Sequence, residues 1–194
     1  LSVDPVDNHR RWAEDIAQAI DSIGGQMDAF TAKEYASYYI KVLDEHLPLA
    51  VDVLSDIVMR PAFSPEDIER EKKVVLEEIK MVEDTPDDLV HELFTENFWA
   101  DHPLGRPILG TKETVESLNR EGLQRYFHGV YTAPNLIVAP VGNVDHARVR
   151  DLIGRAFDGL PTTTEPLAER PPRVVPCTII PNKELGQSHV CLRT

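Results

Sequence analysis

The stretch "SPEDIEREKKVVLEEIKMVED", Ser64 to Asp84, decides how the rest of the chain is read. Ser64 followed by Pro65 is a helix start, because the hydroxyl accepts a first-turn amide and proline removes an N–H that has no partner there. Asp67 adds negative charge where the helix dipole is positive. Further along, Ile68, Glu71, Val75, Glu78 and Val82 follow at helical spacing, which sets all five on one face. Two of them are carboxylates on a stripe of Ile and Val. Burying an ionised carboxylate alone costs several kcal/mol or shifts its pKa. Glu71 and Glu78 therefore need solvent, an arginine from elsewhere in the fold, or a metal ion. Glu77 needs no such account, since Lys73 and Lys80 flank it at helical spacing on the opposite, solvated side.

Working outward, "RRWAEDIAQAIDSI" places Trp12, Ile16, Ala19, Ile20 and Ile23 at helical spacing and ends at Gly24-Gly25. "QMDAFT" and "EYASYYIKVL" alternate and are rich in aromatic and β-branched residues, so two strands are expected, joined by a turn at Ala32-Lys33. A helix from His46 to before Pro61 follows, with Leu47, Ala50, Val51, Val53, Leu54 and Ile57 on its apolar face. After the long helix, Thr85-Pro86 opens another that is expected to bury Leu89, Val90, Leu93, Phe94 and Phe98. The turn-rich "ADHPLGRPILGT" precedes a helix near Arg120 to Tyr131; "NLIVAPVGNV" reads as a buried strand and "DHARVRDLIGRAF" as a helix capped by Asp145. A Pro- and Thr-rich connector then leads to the strand-like "VVPCTIIP" and "SHVCLRT".

Acidic residues outnumber basic ones by 33 to 20, for a formal net charge of −13, which argues against a nucleic-acid partner because the electrostatic term is repulsive. No apolar run reaches the roughly 20 residues of a membrane span, and the first residues lack the basic start and apolar centre of a secretory signal. A cytoplasmic or otherwise intracellular protein is expected, with a removed targeting segment the alternative. Cys177 and Cys191, the only cysteines, sit in apolar runs and are expected reduced and buried.

"IDSIGGQMDAFTAKEYASYYIKVLDEHLPLAVDVLSDIV", "EREKKVVLEEIKMVEDTPDDLVHELF", "HPLGRPILGTKETVESL" and "VGNVD", in that order, closely resemble the insulysin, pitrilysin and mitochondrial processing peptidase family of zinc metalloendopeptidases. The similarity runs from about Arg11 to the end. It implies an α+β fold: a processing-peptidase-like domain with a mixed, mostly antiparallel sheet packed against helices, truncated at both ends. It further implies residues 1–160 as an incomplete N-terminal peptidase domain, 161–173 as a linker and 174–194 as the first strands of a following domain.

The resemblance also assigns roles. In such inverzincins an H-x-x-E-H helix supplies two histidines and the general base, and a distant glutamate completes the zinc site. The distant glutamate matches Glu78, and Glu71 matches a glutamate that supports catalysis near the metal. The family's edge strand "GGxxNAxT" pairs with an extended peptide by main-chain bonds. Here it reads "GGQMDAFT", making Asp28, Ala29 and Phe30 the substrate-binding candidates, with Asp28 departing from the usual asparagine. The family's spacing puts the last histidine of H-x-x-E-H at or next to Leu1, where this chain has Leu-Ser. "VLDEH", ending in Glu45-His46, and "HELFT", beginning at His91, each lack a required histidine, and His9, His102, His128, His146 and His189 are scattered.

Zinc is therefore expected in the complete protein and absent or weakly bound in this chain. The expected function is part of a zinc-dependent metalloendopeptidase, inactive as the isolated chain. Its rival is a non-catalytic family member that serves as a structural or substrate-presenting partner subunit. A peptide or unfolded protein is the implied substrate, and a homo- or hetero-oligomer with a second family domain the implied assembly.

Overall fold

A computed structural model describes residues 13–163, 170–176, 178–180 and 188–192. The expectations for His9, Trp12, Cys177 and the connector's centre fall outside them. The fold is mixed α/β: seven helices and one antiparallel two-stranded sheet among the described residues. These divide into two compact units.

The first unit takes in described residues 13–30, 36–63 and 124–163. It holds α1 (Ala13–Asp21), most of the hairpin of β1 (Gln26–Thr31) and β2 (Ala36–Lys41), α2 (Leu47–Met59), the end of α6 (Arg120–Val130) and α7 (His146–Ala156). Helix α1 stops as its glycines demand. Gly24 adopts φ +66°, which L side chains resist, and the Gly25 amide closes on the Ile20 carbonyl at 3.0 Å. The core lies on α2, packed by β2 and α7, with Ala50, Val51, Val53 and Val58 buried beside Val149 of α7; Ile20 of α1 is buried as well. Asp56, also buried on α2, is held by Arg60 Nε at 2.8 Å, so its charge has a partner. As expected, Asp145 caps α7, accepting the Arg148 amide at 2.8 Å.

The second unit takes in the hairpin turn, residues 64–123 and the described residues after 167. Its frame is α3 (Pro65–Asp84), packed by α4 (Pro86–Phe98) and α5 (Lys112–Ser117). The start of α3 follows the sequence: Ser64 Oγ accepts the Asp67 amide at 3.1 Å and donates to Asp67 Oδ2 at 2.6 Å. Thr85 begins α4 without capping it, because its hydroxyl donates back to the Met81 carbonyl.

Four expectations need correction. Residues 136–141 form no strand: they join no ladder among the described residues, and Ile137 and Val141 are 92% and 95% exposed. Apolar, β-branched content supplies strand propensity, but a strand exists only with a neighbouring ladder, and no described residue provides one. The described parts of 174–192 are likewise unladdered, although the Val175 N–H donates to the Phe98 carbonyl at 3.1 Å. Leu89, Val90, Leu93, Phe94 and Phe98 are half-buried rather than buried, with Phe94 stacked on Phe98. Cys191 is free, as expected of a reduced thiol, but half-exposed rather than buried, its Sγ 3.7 Å from His91 Nδ1. No helix among the described residues is long and apolar enough to cross a membrane.

Candidate functional site

Glu71 and Glu78 both lie on α3, about 10 Å apart along its axis by helical rise. Their stripe is only partly covered: Ile68, Val75 and Val82 are half-buried, whereas both glutamates are exposed. Water therefore hydrates the two carboxylates, and the cost of burial that the apolar stripe suggested does not arise. Among the described residues neither glutamate has an ion pair, unlike their neighbours: Lys80 grips Glu77 at 2.6 Å and Lys72 grips Glu69 at 2.9 Å. The Glu77 bond raises the Lys80 ammonium above the usual lysine range by stabilising its charged form. A hollow of about 400 Å³ between α3 and α5, lined by Lys73, Glu77, Lys80, Lys112 and Glu116, lies on the other side of α3 from Glu71 and Glu78.

Asp28, Ala29 and Phe30 lie together on β1, in the first unit, whereas the two glutamates belong to the second. The Ala32 amide bonds the Tyr35 carbonyl at 2.7 Å and closes the hairpin, so that Asp28 stands opposite Tyr39. Tyr39 accordingly donates to Asp28 Oδ2 at 3.2 Å, and the Ala29 amide donates to Asp28 Oδ1 at 2.8 Å. By accepting the phenol proton and repelling a phenolate, the carboxylate holds the Tyr39 pKa above the ordinary tyrosine range. The Tyr39 partnership is the feature that sequence reasoning missed; counting the register back from the turn would have found it. Beneath the strand, Met27, Ala29, Tyr38, Leu54 and Ile57 line an apolar hollow of about 240 Å³ against α2.

The described histidines do not assemble a site. His46 lies 3.6 Å from Glu45, His102 binds the Leu104 amide and the Arg170 carbonyl, His128 binds the Gln124 carbonyl, and His189 pairs with Asp87. Among the described residues no three His, Cys, Asp or Glu side chains gather closely enough to hold a metal ion. Catalytic zinc takes three protein ligands. Glu78 would bring one carboxylate, so the described residues do not by themselves fit a zinc ion.

Comparison with known proteins places this arrangement. Residues 8–112 match the model of insulinase, peptidase family M16, and residues 117–193 match that of the peptidase M16 inactive domain. The chain belongs to the M16, or insulinase, family of peptidases, as its sequence motifs implied. It is 41% identical over 180 residues to an uncharacterized zinc protease of Bacillus subtilis, covering 93% of this chain and 44% of that one. It is 44% identical over 160 residues to another from Streptomyces coelicolor, covering 82% of this chain and 35% of that one. The chain thus spans less than half the length of these curated relatives. A crystal structure titled as the peptidase M16 inactive domain from Pseudomonas fluorescens superposes with a TM-score of 0.77 at 18% identity, over 84% of this chain and 40% of that one, which establishes the shared fold.

Proposed function

We propose that this chain is part of a zinc-dependent metalloendopeptidase that cleaves extended peptides, with Glu78 as a zinc ligand and Glu71 as its supporting carboxylate. The observation that carries this reading is the pair itself. Two carboxylates share one face of α3, exposed and without an ion pair among the described residues, while Glu69 and Glu77 nearby are paired. Both lie within the residues matched by the insulinase model, and relatives over most of the chain are named zinc proteases. The remaining zinc ligands and the general base come from an H-x-x-E-H segment that these 194 residues do not contain, so the isolated chain is inactive.

On this reading β1 is the strand onto which the peptide adds, through Asp28, Ala29 and Phe30. Residues 1–160 form the peptidase domain, 161–173 a linker and 174–194 the start of the next domain. The partner is a peptide or unfolded protein, with a second family domain or subunit completing the assembly and neither nucleic acid nor membrane involved. The acidic charge and the few cysteines support an intracellular location.

Zinc analysis after dialysis tests the assignment, on the 194-residue chain and on the full-length protein. The short chain should hold none and the full-length protein one zinc per chain, lost in Glu78→Gln and kept in Glu77→Gln. Glu71→Gln should retain zinc and lose most peptide hydrolysis. Zinc retained by Glu78→Gln would overturn the ligand assignment.

A second reading, a non-catalytic member that presents substrate or supports a partner subunit, is favoured by one observation: residues 117–193 match the inactive-domain model. Its signature is a full-length protein that holds no zinc and hydrolyses no peptide.

A further inference from the structure

An incoming strand needs the outward backbone groups of β1. In an antiparallel pair, alternate residues exchange backbone bonds with the partner strand and the residues between them point outward. Counting from the closing pair Ala32 and Tyr35 puts Phe30 and Asp28 among the inward-bonding residues, leaving the amides of Met27, Ala29 and Thr31 toward the open edge. β1 has no second neighbour among the described residues. Its central outward amide is nevertheless occupied: Ala29 N–H donates to Asp28 Oδ1 at 2.8 Å. A strand edge covered by a polar side chain resists pairing with another chain. The same carboxylate that defines the candidate site therefore obstructs it.

The carboxylate has no countercharge among the described residues. Its partners are the Ala29 amide and the Tyr39 hydroxyl, and no Lys, Arg or His among the described residues pairs with it. A carboxylate accepts about four hydrogen bonds, so two sites remain open. Phe30 and Tyr39, 49% and 47% exposed, share the Asp28 face of the hairpin by the alternation of side chains. An anion set between exposed rings suits a cationic side chain, since ring faces attract cations as well.

We propose that Asp28 is a selectivity gate on β1, covering the Ala29 amide in the free protein and releasing it to an extended peptide that brings a lysine or arginine. The inference rests on β1 being the peptide-binding strand. A basic side chain draws the carboxylate into a charge-assisted bond and frees the amide for the peptide backbone. A neutral peptide must displace Oδ1 without that return, and an acidic one meets like charge as well.

The test uses the full-length protein with a metal chelator present, so that binding is read apart from hydrolysis. Extended peptides identical except for Lys, Arg, Gln or Glu at one position are titrated, and exchange of the Met27, Ala29 and Thr31 amides is followed. The basic peptides should bind roughly tenfold more tightly than the Gln peptide, consistent with one charge-assisted bond, and should protect those amides. Asp28→Asn should reduce the preference to near unity, and Asp28→Ala should in addition tighten binding of the Gln peptide by uncovering the amide. Protection of the amides without charge preference overturns the gate and leaves β1 as the peptide strand. Binding without protection of these amides overturns both.

Discussion

Two glycine-to-alanine substitutions should shift stability in opposite directions, because they add the same methyl group to different surroundings. Gly105 is buried in the 3₁₀ turn Pro103–Gly105, which follows α4. A Cβ built there lies well inside van der Waals contact of the Trp99 carbonyl oxygen, with the Trp99 carbonyl carbon at 3.2 Å and the Glu96 oxygen at 3.4 Å. These are backbone atoms at the end of α4, so no rotamer change relieves the overlap. Overpacking of this kind costs typically about 1–3 kcal/mol. Gly154 lies inside α7, and a Cβ there meets nothing within 4 Å. Alanine at an open helix interior gains roughly 0.5–1 kcal/mol over glycine by reducing the freedom lost on folding. At about 2–4 °C per kcal/mol for a chain of this size, Gly154→Ala should melt about 1–4 °C above the parent and Gly105→Ala at least about 2 °C below it. Thermal unfolding followed by far-ultraviolet circular dichroism reads both. Equal shifts of the two variants, in either direction, would refute the placement of Gly105 against the end of α4.

Two further predictions concern the first unit. Thr132 is 1% exposed and its Oγ1 has no hydrogen-bond partner among the described residues, so Thr132→Val, which keeps the shape and removes an unsatisfied hydroxyl, should stabilise by about 1 kcal/mol in denaturant titration; a loss of stability would show that the hydroxyl is satisfied. Tyr131 is raised above the usual phenol range, first by burial and then by its 2.8 Å bond to Tyr38. A group whose folded pKa is raised contributes fully below its unfolded value, about 10 for a phenol, and its contribution is lost as pH rises through the folded value. Phenolate absorbance should therefore show a late alkaline step that Tyr131→Phe removes, and an unchanged titration in that variant would contradict the burial of Tyr131.

Local signals were the legible part of the chain. Ser64-Pro65 started α3, Gly24 ended α1, Asp145 capped α7, and the alternation around Ala32 gave the hairpin, because each depends on a few adjacent residues. The short α5 escaped notice. Its capping box joins Thr111 to Thr114, where the usual sequence signature has an acidic residue or its amide at the second place. Residues 136–141 misled for the opposite reason: their composition fits a strand, yet pairing depends on residues that composition does not specify. Helical spacing likewise put Glu71 and Glu78 on one face but could not say how far that face is covered. Exposure settled this, because hydrated carboxylates need no buried partner.

Exposure also changes what the two glutamates require. Buried and unpaired, they would have had to be neutral or bound to a cation in the folded chain. Exposed, they need no partner to offset burial, so on the proposed reading the chain folds without metal and zinc affinity depends on the ligands that join Glu78. Asp28 is similar: its carboxylate is held by one amide and one hydroxyl, both of which an incoming peptide can replace. Each site thus pairs a stable free state with an exchangeable partner, water for Glu78 and the Ala29 amide for Asp28. The expected consequences separate cleanly. On the proposed reading, loss of zinc in Glu78→Gln should leave the β1 edge intact, and loss of charge preference in Asp28→Asn should leave the proposed metal ligand intact, so neither substitution would account for a failure of the other.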